Sequence, residues 1–127
     1  MLPCERLRAW ELADRLAHAV YDATTHWPKT EIYGLIRQAR RSAFSVPANI
    51  CEGSAKHGSR EYARYLDISV GSLAELTYTL RFARTRGWID QQTWDGIEVL
   101  REAAARALWV LYQSIRRASR RSFRGAV

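Results

Sequence analysis

The sequence predicts an all-α fold, an antiparallel up-down-up-down four-helix bundle. Three observations predict it. Apolar residues recur at three- and four-residue steps through four long segments. The 127 residues include only seven Gly and three Pro, too little turn material for a β fold. The breakers fall between the segments: Pro28, then Gly53 and Gly58, then Gly87.

The first segment runs from about Leu7 to His26. Trp10, Ala13, Ala17, Val20, Tyr21 and Thr24 share its apolar face. Trp27-Pro28 ends it, because a residue before proline is pushed out of the α region. The second segment is expected over Glu31–Ser54, capped by Thr30, with Leu35, Ala39, Ala43, Val46 and Ile50 as its apolar line. Pro47 lies inside it. A proline removes one helical hydrogen bond, so a kinked continuous helix is expected, with a break at Ser45-Val46 as the alternative.

Ser59 is expected to cap the third segment, and Gly87 to stop it. Its line is Tyr62, Tyr65, Leu66, Ser69, Leu73, Leu76 and Leu80. Asp90 is expected to cap the fourth. There Ile97, Leu100, Ala104, Leu108, Leu111 and Ile115 make a regular bundle seam. Val99, Ala103, Trp109 and Val110 lie off that seam, and Leu12, Leu16 and Ala19 off the first helix's line. This surplus apolar surface favours self-association. The division expected is one bundle domain over residues 1–118 and a basic tail over 119–127.

The chain carries +7, from 20 Lys and Arg against 13 Asp and Glu. Residues 36–60 and 91–127 each carry +4, and the remainder is close to neutral. All the basic residues but Lys29 and Lys56 are Arg. The guanidinium fork suits phosphates and stacks on bases, although a GC-rich genome would also replace Lys by Arg. Arg37, Arg40 and Arg41 on the second segment are candidates to hold nucleic-acid phosphates, as are Arg116, Arg117, Arg120, Arg121 and Arg124 at the C-terminal end.

Gln38, Arg41, Ser45, Asn49 and Glu52 are spaced along one face of the second helix. Ser69, Ser72 and Glu75 repeat every three residues on the third, beside Gly71, which would permit close helix approach. Two readings stay open. One is a structural polar network of Gln38, Ser45, Asn49, Glu52, Ser72 and Glu75 that fixes register and satisfies carbonyls freed by Pro47. The other is a polar binding groove. The first is favoured.

No catalytic residues, metal or cofactor are expected. Glu-x-x-His, which di-iron bundles use, does not occur. Asp14, His18, Asp22 and His26 do form an i, i+4 ladder, read as an exposed face rather than a metal site. P-loop and GxGxxG motifs are missing, as is any nucleophile elbow. Cys4 and Cys51 make no disulfide framework, and Cys51 is expected as a small core residue. No signal peptide and no 18-residue apolar run is found, so a soluble cytoplasmic chain without membrane contact is expected.

The stretch from Gly34 to Leu76 resembles a known family. Its carriers are Gly34-Leu35, Gln38, Arg40-Arg41, Ser45, Pro47, Asn49-Ile50, Glu52-Gly53, Glu61, Gly71-Ser72-Leu73 and Glu75-Leu76, with Val20-Tyr21 and Trp27-Pro28 upstream. They resemble the four-helix bundle proteins encoded in intervening sequences of 23S ribosomal RNA genes. They are also similar to the accessory variability-determinant proteins of diversity-generating retroelements. Cys51 stands where the family more often has Ala. The resemblance covers about residues 7–118. It implies a homopentameric ring and no enzymatic activity. In the retroelement branch it implies binding to a reverse transcriptase and its template RNA through a basic surface. The function expected is therefore a non-enzymatic oligomeric bundle that binds nucleic acid, RNA above all; the alternative is a structural or protein-interaction oligomer.

Overall fold

The structure is a computed structural model that describes residues 1–125, with side chains through Arg121. Four helices carry the fold: α1 (Arg8–Thr24), α2 (Leu35–Ser54), α3 (Ser59–Thr85) and α4 (Gln91–Gly125). Single 3-10 turns at Pro3–Arg6 and Lys29–Glu31 complete it, and no strand occurs among the described residues. α1 packs on α2, α2 on α3, α3 on α4, and α4 on α1, closing a four-cornered bundle. The diagonal pairs α1–α3 and α2–α4 bring no Cα atoms within 8 Å of each other among the described residues.

The core is made by the seams the sequence repeats. Leu16, Val20, Val46, Ile50, Leu66, Leu76, Leu80 and Leu108 are fully buried. Leu12 and Leu16 were expected on a surplus face and instead belong to this core. α1 touches two neighbours, so it buries a wider arc than one stripe. Trp27 closes one end of the core, 2% exposed and 5.6 Å from Trp88 between ring centres.

Several boundaries differ from expectation. Thr30 does not cap α2. Hydrogen bonds from Glu31 to Pro28 and from Ile32 to Lys29 hold that stretch as a tight turn, and Gly34 occupies the N-cap at a non-helical ψ of −113°. Ser59 is already helical; Gly58 precedes it at φ 85°, a left-handed backbone that suits glycine, and no side chain caps α3. The other two signals hold. The Asp90 carboxylate accepts from the Thr93 N–H at 2.8 Å. Gly87, at φ 80°, ends α3 in a Schellman turn, with Gly87 donating to Arg84 and Trp88 to Ala83.

α2 runs unbroken through the buried Pro47. The close approach of α2 and α3 falls at Gly53, not Gly71. A Cβ on Gly53 would lie 2.8 Å from the Tyr65 Cβ, whereas one on Gly71 would meet nothing within 4 Å. Cys51 is also not a free core thiol: it pairs with Cys4 in a disulfide that ties the N-terminal turn to α2. Composition argued against a staple, but the fold folds Cys4 onto α2, with Cα atoms 4.7 Å apart. The basic stretch expected as a tail from residue 119 continues α4 as far as Gly125. No helix is long and apolar enough to cross a membrane among the described residues.

Candidate nucleic-acid interface

The face between α2 and α3 is polar where the rest of that interface is apolar. Gln38 Nε2 donates to Glu75 Oε1 at 3.0 Å. Two turns further along α2, the Ser45 and Ser72 hydroxyl oxygens are 2.7 Å apart. Asn49 Nδ2 donates to the Ser45 carbonyl at 2.8 Å and to Ser45 Oγ at 3.0 Å. Ser45 Oγ, with one proton and two lone pairs, accepts from Asn49, and either hydroxyl can donate across the Ser45–Ser72 pair. The buried Ser69 hydroxyl donates to the Val46 carbonyl at 2.8 Å. Pro47 frees the Ala43 carbonyl, yet these side chains serve the carbonyls of Ser45 and Val46, two and three places on. Of the residues expected in this network, Glu52 alone stays outside, exposed and facing no hydrogen-bond donor among the described residues.

Above the network a cleft of about 670 Å³ opens, lined by Tyr33, Gly34, Arg37, Gln38, Arg41, Ser42, Ser45, Ser72 and Glu75. Both readings of the stripe thus meet in one place, with hydrogen bonds at the floor and an open cleft over them. Arg37 and Arg41 are exposed, one helical turn apart, and neither makes an ion pair among the described residues. Other arginines are spent locally: Arg64 on Glu61 at 3.2 Å and Arg101 on Glu98 at 2.8 Å, each pair drawing its carboxyl below the usual range.

Arg40 points away from the cleft. Its Nε donates to Thr24 Oγ1 at 2.8 Å, and its guanidinium lies 5.1 Å over the Tyr21 ring. It ties α2 to the end of α1. Beside it Phe44 is 63% exposed and borders a groove with Tyr21, Ile32 and Ile36.

The C-terminal arginines form a separate basic area, since α4 sits diagonally across the bundle from α2. Arg116 lies 5.4 Å over the Tyr112 ring. The Tyr112 hydroxyl donates to Asp67 at 2.9 Å, and that carboxylate holds the phenol above its ordinary pKa. Arg117, Arg120 and Arg121 are exposed; the Arg124 side chain lies outside the described residues. The Asp14–His26 ladder contributes one contact, His18 to Asp14 at 3.5 Å, and no set of three or more potential metal ligands gathers among the described residues.

Sequence reasoning missed Tyr33, which is 86% exposed at the mouth of the cleft. It precedes the delayed start of α2, so its position became legible only once Gly34 was known to be the cap. No curated protein matches the chain. Residues 5–109 match the model of the 23S rRNA-intervening sequence protein family, and the chain belongs to that family.

Proposed function

We propose that this protein is a non-enzymatic, oligomeric helical bundle that binds RNA electrostatically. The observation that carries the reading is the pair Arg37 and Arg41, exposed and in no ion pair among the described residues, on the rim of a polar cleft. Residues one helical turn apart set their Cβ atoms about 6 Å apart, and two long Arg side chains rooted there can reach successive backbone phosphates of a nucleic-acid strand. Arg117, Arg120 and Arg121 supply a second basic area on α4. We assign Arg40 to positioning, because its donors are engaged with α1. Family membership supports RNA as the nucleic acid.

Assembly belongs to the same proposal. The helices alternate in direction, and copies of the bundle close into a homopentameric ring. In it the apolar groove between α1 and α4, bordered by Leu7, Leu12, Ala103 and Val110, would be covered by a neighbour. A ring brings five basic surfaces together, which multiplies weak single contacts. Such a ring is suited to present RNA to a larger enzyme such as a reverse transcriptase. The exposed Trp109, Val99 and Val110 also favour a second reading, a protein-interaction oligomer with no nucleic-acid role. Fluorescence anisotropy with labelled RNA separates the two. We expect micromolar or tighter binding at low salt, lost about tenfold or more in R37A/R41A. Binding weaker than millimolar, with an oligomer still present by light scattering, would favour the second reading.

A further inference from the structure

The cleft between α2 and α3 holds more than phosphate binding needs. Glu75 stands in it beside Arg37 and Arg41. A carboxylate in a site built only for phosphate would repel its ligand. It makes no ion pair among the described residues, so it is not consumed in neutralising either guanidinium. Gln38 Nε2 donates to Glu75 Oε1 and fixes the carboxylate's position. Among the described residues Glu75 Oε2 and Gln38 Oε1 accept no hydrogen bond. The cleft therefore combines cationic donors at the rim with paired acceptors inside.

Its ligand must carry the opposite pattern: an anion joined to a flat edge of adjacent N–H donors. A nucleotide has that form, and the bases differ in how well they fit. Guanine presents N1–H and the N2 amino group side by side, matching the two oxygens of a carboxylate. Cytosine and adenine each set a ring-nitrogen acceptor beside their amino group, and uracil flanks its one N–H with two carbonyls; each would point a lone pair at Glu75. Adenine would suit a free amide; the Gln38 amide spends one of its two N–H groups on Glu75. Tyr33 at the mouth offers an exposed ring for stacking. The acceptor edge is reached only by an unpaired base, since pairing occupies the same N–H groups.

We propose that the α2–α3 cleft takes one unpaired guanine nucleotide of an RNA strand, with phosphate on Arg37 and Arg41 and the base edge on Glu75. This rests on the RNA-binding reading above. The test is anisotropy with labelled six-nucleotide RNAs that differ at one central base, A, C, G or U, in an otherwise constant sequence. The central-G strand is expected to bind about tenfold tighter than the others. Replacing that G by inosine, which lacks the 2-amino group, should lose most of the gain. In E75Q the preference should vanish while the other three strands bind as well or tighter, because a negative charge has left the cleft. Four equal affinities would overturn the guanine site and leave RNA binding standing. A preference that survives E75Q would overturn the placement of the base. No binding of any strand would sink both proposals.

Discussion

Ser45 on α2 and Ser72 on α3 bring their hydroxyl oxygens within 2.7 Å, and Asn49 completes the chain by donating to Ser45. This polar contact sits in the α2–α3 interface with those of Gln38 to Glu75 and Ser69 to the Val46 carbonyl, so sliding α2 along α3 would strand their donors. Removing either hydroxyl should cost about 1 kcal/mol in urea unfolding, since a half-buried partner is left unsatisfied. A double-mutant cycle of S45A and S72A should return a coupling of about 0.5–1 kcal/mol. Strict additivity would show that the pair does not act as a unit.

Gly53 and Gly71 should respond to alanine in opposite directions. At Gly53 the new Cβ meets the Tyr65 Cβ at 2.8 Å and the Tyr62 carbonyl at 3.3 Å, so the helices must part. Overpacking of this kind costs about 1–3 kcal/mol, only partly offset by better helix propensity. At Gly71 the space is open, and G71A should gain about 1 kcal/mol. Thermal unfolding of both variants checks the pair, and equal shifts of the same sign would contradict it.

The Cys4–Cys51 bond closes a loop across a separation of 47 residues. In the chain-entropy treatment such a link stabilises by about 4 kcal/mol. Reductant should lower the melting temperature of the native protein and leave C4A/C51A unmoved. Two free thiols titrated in denaturant without reductant would contradict the pairing.

Arg40 should behave as a structural arginine. R40A removes the bond to Thr24 and the contact with Tyr21, and should cost about 1 kcal/mol of stability. RNA affinity should change little beside that of R37A or R41A. A loss of binding equal to theirs would place Arg40 among the phosphate contacts.

Periodicity made the four helices legible, because each buries one face on its neighbours. Local chemistry made two ends legible: Asp90 has a side chain that caps and Gly87 a backbone that turns. The starts of α2 and α3 were not, since glycines rather than hydroxyl residues occupy those caps, and a glycine's ψ leaves no mark in the sequence. The spacing of Gln38, Ser45 and Asn49 exposed the polar stripe, and the same step on α3 supplied Ser72 and Glu75. Their pairing across the helices was a matter of register, which a single helix cannot encode. Arg37, Arg40 and Arg41 looked equivalent in the sequence. A rotation of 100° per residue separates them, sending Arg40 to α1 and the other two to the cleft.

The central claim is that Arg37 and Arg41 hold RNA phosphates, and its most direct test is the salt dependence of RNA affinity. The logarithm of the association constant should fall linearly with the logarithm of salt concentration. Each of R37A and R41A should lower that slope by about 0.7, the value of one single-stranded phosphate contact. An affinity indifferent to salt, or a slope unchanged in both variants, would contradict it.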